Sequence, residues 1–431
     1  MRLMVYSHDG FGLGNIRRML AICTYLLRSI PELSILMVSG SPMLHSFRLP
    51  QGLDYIKLPC LNRGTSGELS AKYLGTETQE TVQLRSQLIL SAIASFKPDV
   101  FLVDKKPYGM QNELQASMEY LRAELPDTQI VLLLRDILDH PDATIQDWQK
   151  HGYYEAIQIF YDRVLVVGSA DVFDICQEYQ IPPAIVNKVQ FCGYIRKEPG
   201  NRHPTQVRQA LSLQPGEKLV LVTPGGGEDG YHLIHTYLSS LSHQPSGLKL
   251  RSLIICGPEM PLEQQAALVE TASSFPHVQI SEFTDDLMSY MVAADGVVAM
   301  GGYNTTCEIL SAGKRAVIVP RVKPSQEQWL RAERLAKLGV LVAIHPDQLT
   351  PQGLMRSLVQ QLNALKPTGS SAEIDLCALP RIAQYIRTML AQKGHSMAKS
   401  PLLPLQPVPK LGNSNSWLKG WLSVSTKSPT F

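Results

Sequence analysis

The chain has 431 residues, more than the roughly 250 to 300 at which one hydrophobic core stops growing, so at least two domains with room for a cleft are expected. Hydrophobic residues make up 44% and charged residues 18%, which excludes the disordered and coiled-coil classes. Lys and Arg total 40 against 38 Asp and Glu, and a net charge of +2 gives no broad footprint for nucleic acid, so no nucleic-acid partner is expected.

The N-terminus, MRLMVYSHDG, runs directly into a short apolar strand and lacks the apolar core and cleavage site of a signal peptide. In chain order, strands are expected at Leu3 to Tyr6, Ser34 to Val38, Tyr55 to Leu58, Val100 to Val103, Ile130 to Leu134, Val164 to Val167 and Val189 to Cys192. Helices are expected between them, such as Ile16 to Arg28 and Thr76 to Ser95. Runs that are apolar throughout imply strands buried on both faces, as in a parallel sheet covered by helices.

A polar stretch, RKEPGNRHPTQVRQALSLQPGEK, interrupts this alternation, and strands then resume at Leu219 to Thr223, Ser252 to Cys256, Val278 to Ser281, Gly296 to Met300, Ala316 to Val319 and Val340 to Ala343. The expected organisation is an N-terminal Rossmann-like domain at 1–198, a linker at 199–217 and a second Rossmann-like domain at 218–373. A helix at 374–394 is expected to return to the first domain, and a disordered tail to occupy 395–431. The tail segment NSWLKGWLSV pairs two tryptophans with a lysine and suits a membrane surface or a docking partner; its plainer reading is an unstructured end.

Cys23, Cys60, Cys176, Cys192, Cys256, Cys307 and Cys377 form no CxxC pair and no Cys/His cluster at zinc spacing. They point to a reducing, cytoplasmic setting and to no metal site. No uncharged apolar stretch reaches the roughly 18 residues that cross a bilayer.

Chemistry concentrates in loops at strand ends. After the first strand comes SHDGFGLGN, with Gly10, Gly12 and Gly14 ahead of a helix whose free N–H groups can meet an anion or sugar oxygen. The third position of a dinucleotide fingerprint is Arg17 and no acid ends the second strand, which disfavours NAD. The second half opens alike, with LVLVT running into PGGGEDG. Gly225, Gly226 and Gly227 can cradle a phosphate, although the lysine and hydroxyl of a P-loop are missing. Further on, Gly301 and Gly302 turn the chain into a helix carrying Thr305 and Glu308, and Glu327 with Gln328 opens another. A carboxylate such as Glu308 can accept both ribose hydroxyls, and Glu327 with Gln328 can bond sugar hydroxyls. Singly, each is an ordinary helix start. DKKPYG, with Asp104, and RDILDHPD, with Asp136, end two N-terminal strands and suit a polar or phosphorylated acceptor, or serve as caps and turns.

Together, GGYNTTCEILSAGKRAVIVP followed by EQWLRAERLAKLG resembles the donor-binding half of the GT-B glycosyltransferases, most closely the family 28 group that includes MurG, over about 120 residues. The opening SHDGFGLGNIRR resembles an uncharacterised bacterial branch of glycosyltransferases. The resemblance implies an α/β GT-B fold, two Rossmann-like domains facing an interdomain cleft. It further implies a nucleotide-sugar co-substrate, such as a UDP-sugar, on the C-terminal domain and an acceptor, lipid-linked or small, on the N-terminal one. Inverting transfer without an essential metal or other cofactor follows, in a cytoplasmic enzyme with peripheral contact at the inner membrane face.

Carried over by residue, Gly225, Gly226 and Gly227 match the diphosphate loop, and Phe283 and Thr284 the segment holding the base. Gly302 and Thr305 match the turn near the phosphates, Glu308 the ribose carboxylate, and Glu327 with Gln328 the pair reading the donor sugar. Gly12, Gly14, Asp104 and Asp136 are assigned to the acceptor side. Related sequences usually carry histidine where Asn15 stands, and an amide cannot act as a general base at neutral pH. His8 and Asp9 are therefore the titratable candidates for that role, with Asn15 orienting the acceptor in a mechanism driven by positioning. Reduced activity is the third alternative. A nucleotide-sugar hydrolase or epimerase of the same fold, and a sugar-nucleotide-binding protein weakened in catalysis, are the competing functions.

Overall fold

Fifteen short strands form, almost all from the apolar runs, in a computed structural model that describes residues 1–8, 14–63, 69–364 and 373–397. They are β1 (Arg2–Ser7), β2 (Ser34–Ser39), β3 (Leu53–Lys57), β4 (Leu61–Arg63), β5 (Leu69–Ala71), β6 (Val100–Asp104), β7 (Gln129–Arg135), β8 (Arg163–Val167) and β9 (Val189–Phe191). The second half adds β10 (Lys218–Thr223), β11 (Leu250–Ile255), β12 (Val278–Ser281), β13 (Gly296–Ala299), β14 (Ala316–Ile318) and β15 (Val342–Ala343). Seven of them make a parallel sheet in the order β3-β2-β1-β6-β7-β8-β9, and six make a second parallel sheet in the order β12-β11-β10-β13-β14-β15. β4 and β5 pair as a separate antiparallel hairpin, which no periodicity announces because each strand is only three residues long.

Alternate residues of the first sheet feed two cores, because successive strand side chains point to opposite faces. Leu3, Val5, Val100 and Leu102 pack under Ile16, Met19 and Cys23 of the helix Gly14–Ser29. Met4, Tyr6, Phe101 and Val103 face the other way, onto Ile89, Ile93 and Met118. Each fully buried aliphatic side chain contributes about 1.5–3 kcal/mol, so the strand order is held by its central members. Both sheets change direction of winding beside their first strand, between β1 and β6 and between β10 and β13. In open α/β sheets the crevice outside such a point takes the ligand.

Residues 1–393 form one compact unit carrying both sheets. The stretch expected as linker, 199–217, contains the helix Pro204–Ala210, capped by His203 in a reciprocal box with Gln206. Val207 is fully buried, and the Arg208 guanidinium donates to Ala293 O and pairs with Asp295 at 2.8 Å, so this segment is packed against the second sheet's layer and is no bare tether. At the other end, Ile195 bridges Cys377, and the helix Ala378–Met397 buries Ala378, Ile382 and Ile386 in the core shared with β1. Arg381 donates to Cys192 O and Arg387 to Ser29 O, which fastens that helix to the first sheet's side. Of the unit Gly394–Phe431, the described residues are 394–397, and the Trp-containing segment lies outside them.

Candidate functional site

The strand ends at the two switch points open into one cleft of about 690 Å³, lined from both halves. On the C-terminal side, β10 ends at Thr223 and Pro224–Gly227 bend back with positive φ at Gly225 (90°) and Gly227 (101°). A methyl group on Gly227 would sit 2.4 Å from Cys256 O, so the loop can pass this close to the end of β11 only with glycine. Gly225 lies across from Thr305, whose Oγ1 would be 3.4 Å from a Cβ there. Thr305 belongs to the helix Tyr303–Ala312, which starts at Gly302 with no capping side chain. Its first-turn N–H groups and its dipole are therefore available to an anion held between the helix and the glycine loop.

Glu308 follows Thr305 on the same helical face. Burial raises its carboxyl above the ordinary value, opposed by the charges of Lys197 and Arg17. Phe283 and Thr284 line the same side: Phe283 is 43% exposed, with the Arg17 guanidinium 5.9 Å from its ring centre, and Thr284 Oγ1 accepts from Asp286 N. Glu327 and Gln328 open the helix Glu327–Lys337 after β14. Gln328 Oε1 accepts from Arg321 N at 3.0 Å, and its amide nitrogen faces Gly302. All ten residues assigned to the donor from the sequence line this one cleft.

Glu327 is less free than a sugar-reading carboxylate was expected to be. Its Oε1 accepts from Arg331 of its own helix and from Arg135 at the end of β7, each at 2.8 Å. Burial would raise the carboxyl, but the two arginines outweigh it and hold it down to about 2. A depressed carboxyl adds stability above its unfolded value of 4.5 and loses it as pH falls towards 2. Glu327→Gln is therefore expected to cost about 1–3 kcal/mol at neutral pH, and the gap to wild type to narrow below pH 4.5; urea unfolding between pH 7 and pH 3 checks this.

On the N-terminal side, His8 follows β1 and lines the cleft while only 8% exposed. Its Nδ1 has no hydrogen-bond partner among the described residues. Burial, then the charges of Lys105, Lys106 and Arg135, push its pKa well below 6.5, so the ring is neutral at neutral pH. Asn15 also lines the cleft, yet its amide nitrogen donates to His8 O at 2.8 Å and so fixes the backbone of that loop. Gly14 O accepts from Asn304 Nδ2, and Lys197 Nζ donates to Asn304 Oδ1, which ties the two helix starts together across the cleft. Asp9 and Gly12 lie outside the described residues.

Asp104 and Asp136 correct the sequence reading. Each is 1% exposed and neither lines the cleft. Asp104 pairs with buried Arg18 at 2.7 Å, and Asp136 takes both Nε and Nη2 of Arg331 at 2.7 and 2.8 Å while accepting from Tyr194 OH. Their cationic neighbours, Lys105 and Arg135, face the cleft instead. Strand alternation is the signal that distinguishes them, since a shift of one residue reverses the face. Lys105 also has φ of 72°, a left-handed conformation that costs a side-chain-bearing residue about 1–2 kcal/mol. Among the described residues no group of three His, Cys, Asp or Glu side chains converges in a way that holds a metal ion.

Comparison with known proteins places this geometry. Residues 219–374 match the glycosyltransferase family 28 C-terminal domain. The UDP-N-acetylglucosamine–N-acetylmuramyl-(pentapeptide) pyrophosphoryl-undecaprenol N-acetylglucosamine transferase of Vibrio vulnificus (strain CMCP6) is 30% identical over 141 residues, 32% of this chain and 38% of that protein. The enzyme of the same name from Haemophilus influenzae (strain PittGG) is 26% identical over 176 residues, 41% of this chain and 48% of that protein. The chain thus spans less than half the length of these relatives.

Solved structures match over nearly the whole chain. The glycotransferase of kitacinnamycin superposes with a TM-score of 0.60 at 15% identity, over 90% of this chain and 98% of that one. Acinetobacter baumannii MurG gives 0.55 at 14%, and the UDP-GlcNAc 2-epimerase from Neisseria meningitidis bound to UDP-GlcNAc gives 0.56 at 14%; each covers 91% of this chain and 99% of its own. At such identities the likeness concerns the fold, two parallel-sheet domains around a cleft. Residues 219–374 thus match a glycosyltransferase family 28 C-terminal domain, in a chain with the two-domain GT-B fold.

Proposed function

We propose that this protein is a glycosyltransferase that moves a hexose-type sugar from a nucleotide-sugar to an acceptor hydroxyl with inversion. The observation that carries the reading is the convergence on one cleft of the glycine loop, Thr305, Glu308, Glu327 and Gln328 from one side with His8 and Asn15 from the other. The glycine loop and the helix start at Gly302 hold the diphosphate, Glu308 the ribose, the backbone near Phe283 the base, and Gln328 with Glu327 the sugar. UDP-N-acetylglucosamine, which gives the family 28 relatives their name, is the first donor to test, and a lipid-linked acceptor is the corresponding partner class. The proposed site of action is the cytoplasmic membrane face, reached by peripheral contact; among the described residues no helix is long and apolar enough to cross a membrane.

In the proposed step the acceptor oxygen bonds to the anomeric carbon as its proton passes to the neutral imidazole of His8, and the bond from that carbon to the diphosphate oxygen breaks with its electron pair leaving on the nucleotide. Negative charge grows on the diphosphate, where backbone N–H groups and the helix dipole meet it without reorganising. No cofactor enters this step, the nucleotide-sugar being a co-substrate.

Isotope-labelled UDP-N-acetylglucosamine, incubated with the protein and a lipid-linked acceptor fraction, separates the alternatives. Label in acceptor-bound product with inverted anomeric configuration is the expected result. Free sugar or a 2-epimer formed without acceptor rejects it and favours the hydrolase or epimerase reading, for which the likeness to the 2-epimerase fold speaks.

A further inference from the structure

One cation of the cleft has no assigned work. Lys105 stands at the end of β6, beside His8, and lines the cleft opposite the helix that begins at Glu327. The two carboxylates that act on it are already engaged: Asp104 by Arg18, and Glu327 by Arg135 and Arg331. Lys106, its neighbour, pairs with Asp147. Among the described residues the Lys105 ammonium makes no hydrogen bond or ion pair, so the balanced charges around it leave one positive charge uncompensated on the partly buried wall of the cleft.

Its backbone adds an independent observation. Lys105 N still donates to Leu133 O, extending the ladder of β7, and the chain then enters the left-handed region at Lys105 before turning away. That conformation suits glycine or asparagine better than lysine. A residue with a strained backbone and an unpaired ammonium persists where the surroundings over-determine it, and such residues cluster at ligand sites. Burial lowers its pKa to about 8, which also marks a group that gains from an incoming anion.

We propose that Lys105 is the centre of an oxyanion subsite, flanked by Lys106 and Arg135, that takes a phosphate or carboxylate group carried by one of the two substrates. The inference rests on the reading of the cleft as a two-substrate site. Lys105 lies on the N-terminal wall, and through Arg135 and Glu327 the subsite adjoins the pair assigned to the donor sugar. The group it takes is therefore a phosphate on the acceptor or a carboxylate on the donor sugar. The His8 ring beside it, neutral and with an unpartnered Nδ1 among the described residues, is the base that the attacking hydroxyl would meet next to the anion.

The experiment titrates the full chain with inorganic phosphate, with and without saturating UDP, and separately with UDP-glucuronate and UDP-glucose. Lys105→Gln is expected to weaken phosphate or UDP-glucuronate binding roughly tenfold or more, the scale of one charge-assisted hydrogen bond, with UDP and UDP-glucose unchanged. Loss confined to phosphate assigns the subsite to the acceptor, and loss confined to UDP-glucuronate assigns it to the donor sugar. Lys105→Asn, which tolerates the left-handed backbone, must behave as Lys105→Gln does, so that a folding defect in one variant does not decide the matter. Phosphate and UDP-glucuronate affinities both within twofold of wild type, or a wild-type chain that binds neither, overturn the inference. Phosphate binding that depends on Lys105 in a chain that binds no UDP or UDP-sugar would instead overturn the glycosyltransferase reading and leave the anion site standing.

Discussion

Replacing Asp136 by alanine is expected to destabilise the protein by about 3–5 kcal/mol, the range for removing one partner of a buried ion pair. Arg331 is fully buried and donates twice to Asp136, and Tyr194 OH adds a third hydrogen bond to the same carboxylate. Among the described residues, truncation leaves the guanidinium with Glu327, one backbone carbonyl, Gly301 O, and the Tyr303 ring to answer it. The pair also joins the end of β7 to the helix Glu327–Lys337, so the loss falls on one of the contacts that hold the two walls of the cleft together. Urea unfolding at neutral pH reads the change. Asp136→Asn, which keeps the shape and one acceptor, should lose less, and a cost below about 1 kcal/mol for Asp136→Ala would contradict the packing described.

The second large effect concerns turnover. His8→Ala is expected to lower kcat by about 10²–10⁴-fold, the contribution of a positioned general base, while the affinity for the nucleotide-sugar stays near that of wild type. The sign of the pH dependence follows from the environment of the ring. Burial and the lysines at 105 and 106 lower its pKa, so the base form is complete at neutral pH and is lost only as pH falls through that lowered value. The acid limb of kcat should therefore lie below pH 6.5. An acid limb above that value, or a fall in kcat of less than tenfold, would remove His8 from the role and leave Asn15 and positioning as the source of rate.

Much of this architecture was legible because central parallel strands write themselves as continuous apolar runs, and Leu3–Tyr6, Val100–Val103 and Leu219–Val222 are fully or almost fully buried. The C-terminal wall of the cleft was legible too, since the glycine loop, Thr305, Glu308 and the Glu327–Gln328 pair sit near strand ends within about a hundred residues of one another. The N-terminal wall was less so. Asp104 and Asp136 looked like cleft residues, but their partners lie 86 and 195 residues away in sequence, and pairing over such separations leaves no local pattern. Arg331, in EQWLRAERLAKLG, reads as a solvated helical charge and is fully buried. DKKPYG and RDILDHPD read as clusters of Asp, Lys and His, and which member of each faces the cleft is not legible there, because the pleat that turns one residue inward and the next outward is fixed only once the register with the neighbouring strand is known.

The central claim is that a nucleotide-sugar binds against the helix Tyr303–Ala312, and the most direct measurement is isothermal titration of UDP-N-acetylglucosamine into wild type and Glu308→Ala. Glu308 is partly buried on that helix, where a carboxylate accepting two ribose hydroxyls is worth about 1.5–3 kcal/mol. The expected result is saturable binding to wild type that weakens by roughly ten- to a hundredfold in Glu308→Ala, with the melting temperature of the ligand-free variant preserved. Equal affinity in the two proteins would contradict it.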